Sequence, residues 1–450
     1  MEKVTVLIPT LNSISYMKEC LESVRNQTLS DLEILVIDAG STDGTLELLE
    51  QYQVVDNRIH IIHSEKKSYG YQLNKGINLA KGKYIGIVES DDVIEPDMYE
   101  ELFAVAEKEG VDFAKGNFAN YAITENNQEM IIKDASVSKS IMGKAMKPSD
   151  YKNIYLEDFY LWRGIYSKKF LEDNQIKFNE SPGAAYQDIG FLYQTFTLAQ
   201  KVLYLDKCFY KYRRNNSNSS TYSSKAFSYL AGEYNYVVNH LIENDELHDQ
   251  WSEFLYQKMF IQCRSRIRLL AFHEQNIDTV KKDIMYLQNL LIQAFSNHRI
   301  NLSVWDMSSQ MEFFMFTKDI FAYIEYYKTQ IMAKKHCINN MIGNLKRFSE
   351  IVLVCDGKAL PFVYTLLVDN KIDTIVNVCD NDSTKWGKNR MGLRIISVEQ
   401  ACESSWNKAY VIFSPRAKIE LIQQLHSLGI SDEHIYSYDM GCEWLFLPQK

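Results

Sequence analysis

No run of apolar residues in this 450-residue chain reaches the roughly 18 to 20 that a helix needs to cross a bilayer. The N-terminus, MEKVTVLIPTLNS, has no signal-peptide core or cleavage site and runs straight into an apolar strand. Cysteine is sparse and scattered, at Cys20, Cys208, Cys263, Cys337, Cys355, Cys379, Cys402 and Cys442. With no CxxC pair and no His/Cys cluster at zinc-ligand spacing, a structural zinc site and a disulfide scaffold are both excluded, and reduced thiols are expected. The expectation is a cytoplasmic protein, with peripheral contact at the inner face of the plasma membrane left open. GxxxxGK[ST], GxSxG and HExxH are missing as well, which removes P-loop, serine-hydrolase and zincin chemistry. Positive charge is not in excess: the net charge of −9 sets the chain against nucleic acid as its main partner, because phosphate binding wants a basic face.

What is present is a globular composition, 46% hydrophobic and 24% charged, on a chain long enough for two or three cores. VTVLIP (4–9), EILVID (33–38), RIHIIH (58–63) and KYIGIV (83–88) are short apolar runs of the kind buried in a parallel sheet. Between them lie helical patterns. Met17, Cys20, Leu21 and Val24, for example, fall on one helix face. This β-α-β alternation predicts a doubly wound sheet whose ligand loops sit at the carboxyl ends of its strands. From about 150 to 222 the chain is mixed and aromatic, ending in the polar loop KYRRNNSNSSTYSS. From about 225 to 348 it is helical in character, without proline. From about 350 a second α/β unit follows, with IVLVCDGKALPF, TIVNVCDND and AYVIFSP as strands closed by turn residues. The expected fold class is therefore α/β, with units at 1–222, 223–348 and 349–450.

Four stretches carry candidate chemistry. Asp38 closes a buried strand before GSTDG, where a carboxylate could meet a nucleotide's base or ribose; Asx-turns made by Asp38 and Asp43 around the glycines explain the same residues without a ligand. VESDDVIEP clusters Glu89, Asp91 and Asp92 after another strand. Loop carboxylates suit Mg²⁺ or Mn²⁺ bridging to phosphates, against a solvated acidic turn ahead of a helix. In SPGAAYQDIGF, Asp188 sits among small and aromatic residues and could act as a general base, against a helix N-cap. In KYRRNNSNSS, Arg213 and Arg214 could clamp a diphosphate, against an ordinary solvated loop.

VLIPTLN, SVRNQTLSDLEILVIDAGSTDGT, GKYIGIVESDDVIEPDMYE and YQDIGF, in this order, resemble the inverting family 2 glycosyltransferases with the GT-A fold, over about the first 220 residues. The resemblance implies that Asp38, with Pro9, Thr10 and Asp43 around it, contacts the nucleotide. It implies that Asp91 and Asp92 bind the ribose and a metal on the diphosphate, and that Asp188 is the catalytic base. Arg213 and Arg214 would reach the diphosphate, and Trp162 and Tyr186 would stack on sugar faces unless they belong to the core. Two departures stand out: DAGSTD and ESDD replace the family's usual DDGSTD and DSDD, and Gln187-Asp188 replaces ED. Glu89 reaches further than an aspartate, so the metal ligand among Glu89, Asp91 and Asp92 stays open.

The implied activity is transfer of a sugar from a nucleotide-sugar donor, UDP foremost, with Mn²⁺ or Mg²⁺, to a glycan, lipid-linked or protein acceptor in surface polysaccharide or glycoconjugate synthesis. A catalytically degenerate scaffold is the non-enzyme alternative, and a sugar nucleotidyltransferase is disfavoured by PTLNSISY where a glycine-rich basic loop belongs. The unit after 350 looks like the Rossmann-like domains attached to sugar-modifying enzymes; of GxGxxG only Gly357 is kept, so NAD binding there is not expected. A homo-oligomer interface on the helical region is a further expectation. So is contact of Lys334, Lys335, Lys346 and Arg347 with anionic lipid, against a solvated helix face.

Overall fold

The computed structural model describes residues 2–123, 129–134, 137–214, 216, 223–241, 245–357, 359–403, 407–414 and 417–437. Cys442 and most of the NNSNSS loop lie outside the described residues.

The first half is built on a mixed sheet. Its parallel part comprises β1 (Val4–Thr10), β2 (Leu32–Asp38), β3 (Ile59–His63) and β4 (Tyr84–Ile87), separated by α1 (Ile14–Arg25), α2 (Thr45–Val55) and α3 (Tyr69–Leu79). Every residue of β1 and β2 is buried, as continuously apolar runs in a covered parallel sheet must be. Burial of each Val, Leu or Ile there contributes about 1.5–3 kcal/mol. β5 (Val93–Ile94), α4 (Met98–Glu109), β6 (Phe113–Ile123) and β7 (Glu129–Asp134) come next. They lead to α5 (Asn153–Glu157), β8 (Gly164–Ser167), α6 (Lys168–Asp173), α7 (Gln187–Leu198) and β9 (Val202–Arg213).

The strand order is β3-β2-β1-β4-β8-β6-β9-β5, with β7 beside β6. β8 runs antiparallel to β4, and β6 and β9 pair in parallel beyond it. Of these strands, β8 and β9 fall in the stretch that reads as mixed in sequence. One correction follows: Lys211, Tyr212 and Arg213 belong to strand β9, not to a solvated loop.

Helices α8 (Ala226–Tyr236), α9 (Asp245–Phe272), α10 (Lys281–Ser296), α11 (Met307–Lys318) and α12 (Ile320–Leu345) follow. Their apolar faces join the same core as the first sheet, which runs without a break from Val4 to Ile331. The change near residue 222 is thus one of secondary structure, not of core. α12 reaches further: Met341, Ile342 and Leu345 at its end pack into a second core.

That second core belongs to a six-stranded sheet formed by β10 (Glu350–Val354), β11 (Ile375–Cys379), β12 (Asn389–Arg390), β13 (Leu393–Ile396), β14 (Lys408–Ile412) and β15 (Ile435–Ser437). Its order is β12-β13-β11-β10-β14-β15, with α13 (Leu360–Asp369), α14 (Val398–Cys402) and α15 (Lys418–Ser427) as the covering helices. Among the described residues no helix is long and apolar enough to cross a membrane.

Candidate active site

A cleft of about 710 Å³ opens at the carboxyl ends of β1, β2 and β4, the position the strand order predicts. One wall runs from Pro9, near the end of β1, to Ser13; the floor carries Glu89, Ser90 and Asp91; the facing wall runs from Gly183 to Asp188 in the first turn of α7. Hydrogen bonds tie the loops together. The Ser13 and Ser90 hydroxyls meet at 2.8 Å, the Asn12 amide donates to Ser41 Oγ at 2.8 Å, and Gln72 Nε2 donates to the carbonyls of Thr10 and Ile37 at 3.0 and 2.5 Å.

Pro9 and Thr10 line the cleft, whereas Asp38 and Asp43 are held within their own turn. Asp38 is buried and its carboxylate accepts from the Gly40 amide at 2.8 Å and from the Ser41 amide and hydroxyl at 3.0 and 2.5 Å. Asp43 accepts from Thr45 Oγ1 at 2.5 Å and from the Ile14 amide at 3.1 Å, bonds that hold its carboxyl below the usual range. The Asx-turn reading describes both geometries. The neighbour that does face the cleft is Ala39, at the position where the family's usual motif has a second aspartate.

The acids of ESDD divide in two. Asp92 is fully buried; Tyr210 Oη donates to it at 2.8 Å and the Arg213 amide at 2.6 Å, joining the loop to β9. Glu89 and Asp91 line the cleft. Tyr69 Oη donates to Glu89 Oε1 at 2.5 Å, and Asn216 Nδ2 to Asp91 Oδ2 at 2.7 Å. Burial and the neighbouring Asp91 push the Glu89 carboxyl up to about 8, and burial with Asp91 raises Asp92 too. Burial, the larger cause in both, and the crowding of carboxylates favour the protonated forms here. Among the described residues no group of three metal-type side chains converges.

Asp188 faces these acids from the first turn of α7. It is not the N-cap: Tyr186 takes that place in left-handed conformation at φ 68°, leaving the Asp188 side chain directed to the cleft. Gln187, in the position of the family's usual glutamate, is spent on the loop itself. Its Oε1 accepts from the Ala185 amide at 2.8 Å, and its Nε2 donates to Ser181 Oγ at 3.0 Å and Gly183 O at 3.2 Å. Gly183 holds φ +88°, which a residue with Cβ rarely adopts. Enclosure pushes the Asp188 carboxyl up to about 6, against the pull of Lys258.

Arg213 does not reach the cleft. Its guanidinium pairs with Glu19, donates to the Asp91 carbonyl at 2.6 Å and lies over the rings of Tyr16 and Tyr121. It fixes the acidic loop and is not positioned to clamp a diphosphate. Arg214 stacks over Tyr212, itself a cleft residue, at 4.9 Å. Trp162 touches the cleft but is mostly core, stacked on Tyr210 at 4.0 Å; Tyr186 lines the cleft with Arg266 over its ring at 5.3 Å. Sequence reading missed Lys67, Tyr69 and Gln72, which follow β3 and line the cleft. The rule that sends ligand loops to strand carboxyl ends covers SEKKSYG too. It also missed Tyr229 of α8, for which no local pattern gave a signal.

A doubly wound sheet with a cleft at its strand ends and carboxylates facing across it is the architecture that the resemblance to the GT-A transferases implies. The glycosyl transferase family 2 model matches residues 5–186, and the chain belongs to that family. Glycosyltransferase GlyG of Streptococcus pneumoniae serotype 4 is 30% identical over 225 residues, 48% of this chain and 72% of that protein. The putative glycosyltransferase EpsH of Bacillus subtilis is 28% identical over 276 residues, 59% of this chain and 76% of that one. Among solved structures, residues 1–349 of S. aureus TarS superpose with a TM-score of 0.52 at 20% identity, covering 74% of this chain and 91% of that one. That likeness shows the fold; TarS has also been solved with UDP-GlcNAc and with UDP. The chain is thus a family 2 glycosyltransferase.

Proposed function

We propose that this enzyme moves a sugar from a nucleoside-diphosphate donor, a UDP-sugar foremost, to a hydroxyl of a glycan, lipid-linked or protein acceptor, with inversion. The observation that carries the reading is the opposition of Asp188 to Glu89 and Asp91 across one cleft of about 710 Å³. Pro9, Thr10 and the cleft side of Ala39 receive the nucleotide, with Asp38 and Asp43 shaping the turn behind it. The UDP-GlcNAc and UDP complexes of TarS support a UDP-sugar donor, and surface polysaccharide or glycoconjugate synthesis is the setting proposed for the transfer.

Glu89 and Asp91 fit a hard divalent cation such as Mn²⁺ or Mg²⁺. Both are oxygen donors at the cleft, neither side chain is in an ion pair among the described residues, and one or two protein carboxylates suffice when phosphates and waters fill the remaining positions. Bound there, the ion would neutralise charge developing on the leaving diphosphate. Asp92, sealed behind them, supports the loop. Lys67, exposed on the cleft rim, adds a cation within reach of a diphosphate, as does Arg214 beside Tyr212. Asp188 accepts the proton of the acceptor hydroxyl as that oxygen attacks the anomeric carbon, and the carbon–oxygen bond to the diphosphate breaks on the opposite face. One displacement inverts the centre. Trp162, Tyr186 and Tyr229 present ring surface for sugars.

The test is nucleotide release from a panel of nucleotide sugars with Mn²⁺ or Mg²⁺ and, in parallel, equilibrium binding of UDP. Release with one donor above the others is expected. Absence of both turnover and nucleotide binding would overturn the reading.

A further inference from the structure

The segment that leads into α7 is laid against the start of α3. Asn74 of α3 brackets the backbone of Phe178, accepting from its amide at 2.9 Å and donating to its carbonyl at 3.0 Å. The carbonyl of Asn179 approaches Gly70 so closely that a Cβ there would stand 1.9 Å from it. Further on, Gly183 forms a parallel bridge with Ser68. The Gly183 amide donates to Lys67 O at 2.9 Å, and its carbonyl accepts from the Tyr69 amide at 2.9 Å. The chain is therefore fixed as far as Gly183.

Between that fixed point and Asp188 lies Tyr186, left-handed at φ 68°. Such a backbone is unfavourable for a residue with Cβ and persists where its surroundings enforce it. Here the enforcing side chain is Gln187, which is 1% exposed. It folds back past Tyr186 and bonds the chain on the far side. Its Oε1 accepts from the Ala185 amide at 2.8 Å, while its Nε2 donates to Ser181 Oγ at 3.0 Å and Gly183 O at 3.2 Å. The Ala185 N–H can only donate and the Gly183 carbonyl can only accept, so the carboxamide has one orientation. Helix α7 begins at once, with the Ile189 amide donating to Tyr186 O at 3.0 Å.

We infer that Gln187 is a positioning residue for the proposed base: its carboxamide fastens the first turn of α7 to Ser181 and Gly183 and so aims Asp188 into the cleft. The glutamate usual at this family position cannot replace it in this chain. A carboxylate keeps the acceptor for Ala185 but has no donor, and it sets an anionic oxygen against the Gly183 carbonyl. That same carbonyl is bonded by Tyr69, whose phenol holds Glu89 at 2.5 Å. One continuous set of hydrogen bonds thus fixes the base relative to the acid across the cleft.

This inference rests on Asp188 being the base, and the experiment separates the two. The full chain is assayed as wild type, Gln187→Glu, Gln187→Met and Asp188→Asn for kcat, donor KM and equilibrium UDP binding, with circular dichroism to check folding. Both Gln187 variants are expected to lose about 10-fold to 100-fold in kcat, since a misplacement of about 1 Å can cost that much. Donor KM and UDP affinity should stay within about twofold, because the loss falls on the chemical step and Pro9 and Thr10 lie on the other wall. A role in folding alone would lower the unfolding temperature and leave kcat per folded molecule unchanged. Wild-type kcat in either folded Gln187 variant, or UDP affinity falling in step with kcat, would overturn the inference, while an inactive Asp188→Asn leaves the base assignment standing. Full activity in Asp188→Asn would remove the base assignment and this inference with it. If neither Gln187 variant folds, Ser181→Ala decides: it deletes one partner of Nε2 and should lower kcat about two- to tenfold, and an unchanged kcat overturns the inference.

Discussion

The phenol of Tyr69, at the first position of α3, donates a 2.5 Å hydrogen bond to Oε1 of Glu89. The longer side chain at this family position is therefore anchored by a neighbour from the start of α3. Outer partners that aim a ligand carboxylate commonly change metal affinity about 10-fold to 100-fold when removed. Tyr69→Phe is expected to raise the Mn²⁺ concentration giving half-maximal donor binding by about tenfold. Calorimetric titration of UDP at several Mn²⁺ concentrations checks this. A variant that titrates like wild type would show that Glu89 is not a ligand whose aim matters.

Asp188 makes a kinetic prediction with a defined sign. Its carboxyl sits up to about 6, and a general base works only when unprotonated, so kcat/KM should rise with pH through about 6 and level above it. Asp188→Asn should lower kcat by about 10²–10⁴ while donor affinity stays within a few-fold. Measurement of kcat and of UDP-sugar binding on the same preparation decides it, since a misfolded variant would lose both.

How much of this was readable without coordinates depends on the range over which each residue acts. The parallel strands β1 to β4 were legible because an apolar run bounded by turn residues is a local signal, and so were the acid-bearing loops that follow them. Strands β6, β8 and β9 were not, because their partners lie far along the chain: Phe113 pairs with both Tyr166 and Val202. Arg213 illustrates the cost. Beside NNSNSS it reads as a free loop cation, yet it ends a strand and its guanidinium is taken by Glu19, nearly two hundred residues earlier. In Asp38 the local reading sufficed, since the turn it forms is made with Gly40 and Ser41.

Asp158 carries a stability prediction. Its carboxylate is in contact with both buried Lys115 and buried Arg163, and those cations lower it well below the ordinary range. Removing one partner of a buried ion pair strands the other and typically costs about 3–5 kcal/mol. Asp158→Asn should therefore lower the urea midpoint far more than Asp188→Asn, although both remove one negative charge. Similar midpoints for the two variants would mean the buried cluster is solvated or rearranges.

Glu233, buried on α8, has the reverse linkage. The amide of Asn179 donates to its Oε2 at 3.0 Å, but burial pushes its carboxyl from 4.5 up to about 8. Between those values the native state keeps a proton that the unfolded chain releases, so the stability this group contributes falls as pH rises. Glu89, also raised to about 8, acts in the same sense. Glu233→Gln, which stays neutral and retains an acceptor for Asn179, should remove part of that slope and gain about 1 kcal/mol or more over wild type at pH 8, with little difference at pH 5. Urea unfolding at the two pH values tests the sign directly. A variant less stable than wild type at pH 8 would mean that Glu233 is ionised in the native state and held by a partner worth more than its desolvation. In that case its charge beside Asp188 would have to be counted in full, raising the base above the limb expected near pH 6.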